Sequence, residues 1–331
     1  MRITRETLIR IAKETALKRA NADPQLVAAY LTGSLRSENP FLGNSTDIDM
    51  VLVHAGDVTT RREILPLTPE VHLDIVHNPR REYEKPKELR VHPWLGPDLY
   101  DSLPLYNTQH FFEFIQAGVR AGYDEPVNVL ARARRNAEHA RQIWSGLGHS
   151  QEAGPSRLLS YLKSVDHAAN AIAVLTGSPL AERRFQLQFQ ERASAAAVPG
   201  LAAGLAGLLG GAQVDGTALR KFLPEWEKAF VEAGRRDGAS PSIALPRLGY
   251  YKLSFEAMLT GESPQSILWP LVHTWTLSAV VLSPAHQAKW KAACETLGLT
   301  GKAFNERLEG LDRFLDTVEE TLENMAARQG V

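Results

Sequence analysis

The chain has 331 residues, of which 44% are hydrophobic, so it is long enough for two domains and too apolar to stay disordered. Its 37 basic and 38 acidic residues nearly cancel, which argues against a general nucleic-acid binder with an overall basic field. The single cysteine, Cys294, excludes a disulfide framework within the chain, argues against a cysteine-based zinc site and fits a cytoplasmic location.

The two segments that most resemble targeting or membrane sequences predict ordinary helices. Residues 1–20 lack an apolar core and predict an amphipathic helix capped by Thr4, not a secretion signal. The apolar run 267–282 is shorter than the roughly 20 residues that a bilayer span needs, and it contains Pro270 and His273. We therefore expect a buried helix in this run and no membrane span.

The N-terminal part mixes strand and helix patterns. Residues 26–32 form a short apolar run that ends at Gly33, and residues 48–54 form a second run. Residues 71–77 alternate apolar and polar side chains, which predicts a third strand. Residues 79–107 contain five prolines and mixed charges, and they predict no firm element.

From about residue 108 the patterns become helical. Residues 193–214 are dominated by Ala, Gly and Leu and fit either a packed helix pair or a loop. The fold class that follows is a small α/β (α+β) domain with a mixed sheet, residues 1–125, and then an all-helical bundle domain, residues 126–331. The predicted helices after residue 126 cover 127–144, 158–175, 217–234, 246–260, 265–282, 285–296 and 301–328.

Two carboxylates on the second strand are the strongest chemical feature. Asp47 and Asp49 are two residues apart, so strand alternation puts both side chains on one face. Two carboxylates this close repel each other, and one is driven to bind a proton unless a cation lies between them. Because Mg²⁺ prefers hard oxygen ligands, the pair predicts a magnesium site.

The end of the first strand offers a place for phosphate. If a helix follows Gly33-Ser34, its first backbone N–H groups attract an anion, and the Ser34 hydroxyl adds a donor. We expect Gly33, Ser34, Arg36 and Thr46 to contact a phosphate-bearing ligand. A phosphate-binding turn beside two metal-binding carboxylates predicts a site for a metal-bound triphosphate.

The order Gly-Ser, loop, Asp-x-Asp on an apolar strand resembles the nucleotidyltransferase motif of the polymerase-beta superfamily. Gly33, Ser34, Asp47 and Asp49 match this motif, and Asp74 in HLDIVH matches the family's third carboxylate. The twelve-residue loop between Ser34 and Asp47 is closer in length to kanamycin-type enzymes than to minimal bacterial nucleotidyltransferases. The resemblance covers about the first 125 residues.

The resemblance implies an enzyme that transfers a nucleoside monophosphate to a hydroxyl of a small-molecule acceptor and releases pyrophosphate. ATP is the expected donor, and Asp47, Asp49 and Asp74 are expected to hold two Mg²⁺ ions. Asp74 is also a candidate general base. By the same resemblance, the helical domain helps to bind the acceptor or a partner, and a homodimer is compatible with the sequence.

The acceptor contacts stay open at this stage. Tyr161, Lys163, Asp166 and His167 lie on adjacent helical turns, but an ordinary helix face is the favoured interpretation. A cationic acceptor, such as an aminoglycoside, calls for an acidic pocket. Acids of the helical part that could supply one are Glu225, Glu227, Glu232 and Glu256.

Two other functions are compatible with the same residues. One is a protein- or RNA-modifying nucleotidyltransferase of toxin–antitoxin type, and the long helical extension counts against it because those proteins are usually short. The other is a non-catalytic nucleotide-binding protein on the same fold, which the intact Asp47 and Asp49 disfavour.

Overall fold

A computed structural model describes residues 3–149 and 154–331 of the chain. In this part of the chain, one mixed sheet of five strands is accompanied by many helices, so the fold is α+β and mostly helical. None of the helices that the structure describes combines the length and apolar character that a bilayer crossing requires.

The sheet lies in the N-terminal part and has the strand order β3-β4-β2-β1-β5. β2 and β4 run parallel, whereas β1 is antiparallel to β2 and β5, and β3 is antiparallel to β4. The elements are α1 (Arg5–Ala22), β1 (Leu26–Leu31), β2 (Thr46–His54), β3 (Arg62–Pro66), β4 (Val71–Pro79), α2 (Pro86–Leu89), α3 (Leu95–Tyr100), β5 (Leu103–Asn107) and α4 (Phe111–Arg120).

The three predicted strands correspond to β1, β2 and β4, which form the centre of the sheet. The sequence patterns missed β3 and β5, because both are edge strands with half-exposed residues. β5 also carries Pro104, which a strand tolerates at the edge of a sheet. The predicted cap of α1 is confirmed, because the Thr4 side chain accepts a hydrogen bond from the Thr7 N–H.

The two faces of the sheet are covered differently. On one face Ile48, Met50 and Leu52 pack against α1 in one apolar cluster. On the opposite face Val51 and Val53 pack with residues of α4 in a second cluster. Asp47 and Asp49 share the face of Val51 because strand side chains alternate. The second cluster does not include Asp47 or Asp49, so the polar end of this face is left for the helical part of the chain to cover.

Residues after 125 form nine described α-helices with one apolar cluster of their own. The segment 193–214, for which a helix pair and a loop were both open, contains the end of α7 and the short helix α8. The helices are α5 (Pro126–His149), α6 (Pro155–Ala173), α7 (Phe185–Ala195), α8 (Gly200–Leu208), α9 (Gly216–Ala233), α10 (Leu248–Thr260), α11 (Leu268–Val281), α12 (Ala288–Thr296) and α13 (Ala303–Gln329).

The buried Arg183 and the partly buried Arg184 join the helical part to the sheet. Arg183 donates to the Ser45 hydroxyl at 2.6 Å and to the Ser45 carbonyl at 3.1 Å, and its guanidinium lies 3.7 Å from the centre of the Tyr250 ring. Arg184 donates to the Phe41 carbonyl at 2.7 Å. These contacts hold the helices against the loop before β2, so they place the helical part over the polar end of the sheet.

Candidate functional site

Four polar side chains meet on one face of the sheet, on the parallel strands β2 and β4. The register pairs Asp47 with His72 and Asp49 with Asp74. Paired residues on neighbouring strands project to the same side, so these four form a square at the polar end of the sheet. Asp47 and Asp49 are therefore on one surface, as strand alternation predicted, and Asp74 lies beside them on β4.

The backbone at Gly33 packs closely against the Asp49 side chain. Its φ of +69° is a left-handed conformation that side chains disfavour. A Cβ at this position would overlap the Asp49 carboxylate and lie 2.9 Å from the Asp49 Cβ. The Thr32 N–H also donates to the Asp49 carbonyl at 3.0 Å, which ties the end of β1 to β2. The glycine of the sequence motif thus lets the backbone approach the carboxylate.

The predicted phosphate cradle contains a single 3-10 turn, Gly33–Arg36, in place of a longer helix. Within it the Ser34 and Thr46 hydroxyls form a hydrogen bond of 3.0 Å. Arg36 donates to the carboxylate of Asp101 at 3.2 Å. Because a turn this short has little dipole, hydroxyl and backbone donors must provide most of any anion binding here.

Asp47 and Asp49 differ in proton affinity. Burial and the charge of Asp47 raise the pKa of Asp49 to about 8. Burial also acts to raise the pKa of Asp47, but His72, Arg183 and Arg247 outweigh it, and the pKa is lowered. One carboxylate of the pair therefore stays ionised while its neighbour holds a proton near neutral pH. A bound divalent cation removes this conflict.

Asp74 is held by two arginines. Arg62 of β3 donates to both of its carboxylate oxygens, at 2.7 and 2.6 Å. Arg247, immediately before α10, pairs with the same carboxylate from the helical part of the chain. The Arg247 side chain is 5% exposed, whereas that of Arg62 is 38% exposed. The third predicted metal ligand is thus engaged by cations in this conformation.

The arginine contacts of Asp74 affect the predicted metal site. Among the residues that the structure describes, no group of three His, Cys, Asp or Glu side chains is arranged to hold a metal ion. Asp47 and Asp49 nevertheless fit a divalent cation, because they are adjacent and one is protonated without it. A third contact from Asp74 requires one arginine to move.

The square opens into a cavity of about 1300 Å³ between the sheet and the helices. Its floor includes Asp47 and Asp49, and the predicted Gly33, Ser34 and Arg36 line the same space. Thr46 reaches the site through its hydrogen bond to Ser34. Residues of the helical part that line the cavity include Arg135, Leu180, Glu182, Arg184, Gln188, Arg192, Arg247 and Tyr250.

Sequence patterns missed two residues of this site, His72 and Asp98. His72 is fully buried, and neither of its ring nitrogens has a hydrogen-bond partner within the described chain. Burial lowers its pKa to about 4, so the ring is neutral near pH 7. The alternation in VHLDIVH puts His72 on the same face as Asp74, and this pattern could have identified His72 as a site residue.

Asp98 lies in α3, within the segment 79–107 that gave no firm prediction. It lines the cavity and accepts a hydrogen bond from the Thr32 hydroxyl at 3.0 Å. Burial raises its pKa to about 6. No local sequence pattern distinguishes this carboxylate from other acids of the segment.

The candidate acceptor contacts of the helical part lie elsewhere. Tyr161 is buried and donates to the Leu208 carbonyl at 3.0 Å, and the ring of His167 lies 4.3 Å from that of His139. The four acids considered for an acidic pocket pair with surface cations instead. These pairs are Glu225–Lys228, Glu227–Lys252, Glu232–Arg236 and Glu256–Arg220.

No family model matches the chain, and a search of the curated proteins finds no match. The cavity and its carboxylates are therefore the observations on which a function can be proposed. They combine a closely spaced acidic pair, a glycine turn packed on that pair, and arginines on the facing wall.

Proposed function

We propose that the chain is a Mg²⁺-dependent nucleotidyltransferase that moves a nucleoside monophosphate, with ATP as the expected donor, to a small-molecule hydroxyl. The observation that carries this proposal is the Asp47–Asp49 pair at the floor of the cavity, with the pKa of Asp49 raised to about 8. A closely spaced acidic pair of this kind is stabilised by a divalent cation, and the adjacent Gly33 turn leaves room for phosphate.

In this proposal Asp47 and Asp49 hold Mg²⁺, with Asp74 as the third carboxylate. The metal supplies positive charge that neutralises phosphate oxygens. Because Arg62 is more exposed than Arg247, Arg62 is the arginine expected to leave Asp74. Arg247 then stays as the buried cation that orients the carboxylate from the helical side.

The phosphates of the donor are expected to lie against the turn Gly33–Arg36. The Ser34 hydroxyl can donate to a phosphate oxygen when Thr46 is the donor of the hydrogen bond between the two hydroxyls. The twelve-residue loop after Ser34 is held by arginines of the helical part, which keeps this wall of the cavity in place. The preference for ATP follows from the family resemblance.

The acceptor hydroxyl must lose a proton to a carboxylate. Asp74 was the predicted base, but both of its oxygens accept hydrogen bonds from arginine, which weakens it in this role. Asp98 has a pKa raised to about 6, close to the pH at which a general base works best. Its Oδ1 accepts from Thr32, so Oδ2 is the atom left to take the proton.

A thermal-shift titration with ATP, GTP, CTP and UTP, each with and without Mg²⁺, tests the proposal. A ligand at about a hundred times its dissociation constant stabilises the native state by about 2.7 kcal/mol. We expect a Mg²⁺-dependent rise in melting temperature that Asp49→Asn abolishes. No rise with any of the four nucleotides would remove the basis for nucleotidyl transfer.

One observation favours a second function, a non-catalytic nucleotide-binding protein. Asp74 is already neutralised by Arg62 and Arg247, and a site with two carboxylates can bind a metal–nucleotide without turning it over. Pyrophosphate release from the preferred nucleotide distinguishes the two functions. Binding without release across a broad set of hydroxyl compounds would support the second function.

A further inference from the structure

One face of α7 presents polar side chains to the cavity at a spacing of four residues. Arg184 precedes the helix, and Gln188 and Arg192 follow at successive turns. Residues four apart lie on the same side of a helix, so the three form one stripe on the wall that faces the carboxylates. We call Arg184, Gln188 and Arg192 the α7 stripe.

The two arginines of the α7 stripe have no acidic partner in the described parts of the chain. Arg184 donates to the Phe41 carbonyl at 2.7 Å, and Arg192 donates to the Thr176 carbonyl at 3.0 Å. Carbonyl oxygens fix these guanidinium groups without cancelling their charge. Burial and the neighbouring Arg183 lower the pKa of Arg184, as expected for a cation without a counter-ion.

Neighbouring groups also fix the positions of two side chains of the α7 stripe. Gly177 lies against Arg192, and a Cβ there would overlap the guanidinium group, so the glycine makes space for this side chain. Gln188 is fixed in orientation because its Oε1 accepts from the Ala181 N–H at 2.8 Å. The Nε2 of Gln188 is then the group that remains to donate to a ligand.

Glu182, the acid of the same wall, is already paired, and so is Asp74 on the sheet. Glu182 accepts from the Tyr251 hydroxyl at 2.9 Å and lies 2.6 Å from His273. Asp74 is engaged by its two arginines. The charge that a ligand meets on the helical wall is therefore positive, which opposes a polycationic acceptor of the aminoglycoside kind.

We infer that the α7 stripe is an oxyanion subsite that binds a phosphate group of a ligand in the cavity. The planar guanidinium groups of Arg184 and Arg192 match phosphate oxygens, and Gln188 adds a neutral donor. The phosphate belongs either to the nucleoside triphosphate or to a phosphate-bearing acceptor. This assignment of the ligand rests on the proposed function, whereas phosphate binding by the stripe can be measured without it.

Inorganic pyrophosphate in the presence of EDTA is the probe, because it needs neither metal nor turnover. Isothermal titration calorimetry is run on the full chain and on Arg184→Gln and Arg192→Gln. Each variant is expected to bind about tenfold more weakly, which corresponds to about 1.4 kcal/mol. Arg220→Gln, which removes a surface arginine paired with Glu256, is the matched control and should bind as the parent does.

Arg192→Lys keeps the charge without the planar guanidinium group, so partial binding that it retains while Arg192→Gln loses it separates the subsite from misfolding. The EDTA keeps this titration free of metal and of turnover, so failure of nucleotidyl transfer does not remove this test. Equal affinity of the parent, Arg184→Gln and Arg192→Gln, all folded by circular dichroism, would overturn the inference.

Mg²⁺–ATP and AMP then identify the source of the phosphate. If the stripe holds the triphosphate, Arg192→Gln weakens ATP binding and leaves AMP binding unchanged. If the stripe holds the acceptor, Arg192→Gln leaves ATP binding unchanged but loses the binding of orthophosphate to the ATP-saturated protein. Either result supports the subsite, and unchanged binding of both ATP and orthophosphate contradicts it.

Discussion

Replacing Gly33 with alanine tests the close approach between the β1 turn and Asp49. The residue has a φ of +69°, and an added Cβ would overlap the Asp49 carboxylate and lie 2.9 Å from its Cβ. Because the Asp49 Cβ is fixed by β2, rotation of the side chain alone cannot relieve the clash. Gly33→Ala is therefore expected to displace the carboxylate from the floor of the cavity.

Two effects reduce the stability of Gly33→Ala. The left-handed conformation costs an L-residue roughly 1–2 kcal/mol, and the clash with Asp49 comes on top of it. Gly301 is a matched control, with a φ of +68° and no atom within 4 Å of an added Cβ. Gly301→Ala should lose only the backbone cost, so the difference between the variants measures the contact with Asp49.

Urea unfolding gives the two stabilities, and calorimetry gives Mg²⁺–nucleotide affinity. We expect both variants to be destabilised, Gly33→Ala more than Gly301→Ala. Only Gly33→Ala is expected to lose nucleotide binding, by at least about tenfold, or about 1.4 kcal/mol. Equal loss of stability in the two variants, together with unchanged nucleotide binding by Gly33→Ala, would refute the packing argument.

Two further predictions concern charge. The folded pKa of Asp49 is about 8 and its unfolded pKa is about 3.9, so between these values only the unfolded state has lost the proton and the free energy of unfolding falls as pH rises. Asp49→Asn should flatten this dependence in metal-free urea titrations; an unchanged slope would contradict the assigned burial. Arg247→Gln breaks a buried pair with Asp74 and should cost about 3 kcal/mol, the lower end for such pairs because Arg62 remains. A loss in urea unfolding no larger than that of the more exposed Arg62→Gln would show that Arg247 is not the main anchor.

The central strands were predictable because their apolar patterns are local. β1, β2 and β4 are buried on both faces or alternate clearly, and the two-residue spacing of Asp47 and Asp49 is by itself enough to put both on a common face. β3 and β5 were not predictable in the same way. They gain their hydrogen bonds from neighbouring strands and bury little of their own surface.

The contacts between distant parts of the chain could not be predicted from spacing. The pairing of Asp74 with Arg247 joins residues 173 positions apart, and no local pattern specifies which arginine meets a buried acid. The α7 stripe was not predicted from the sequence. Gln186 and Gln190 of the same segment are polar too, so only the fold shows which of these side chains line the cavity. The positions of the candidate site residues were therefore predictable on the strands and not on the helices.

Direct measurement of divalent-cation binding tests the central claim most sharply. Mn²⁺, a spectroscopic substitute for Mg²⁺, is titrated into the full chain and followed by electron paramagnetic resonance, with ATP present and absent. We predict a bound Mn²⁺ population that Asp49→Asn abolishes and that Asp237→Asn, an exposed acid outside the cavity, leaves unchanged. Equal Mn²⁺ binding by the parent and Asp49→Asn would contradict the assignment of Asp47 and Asp49 as the metal site.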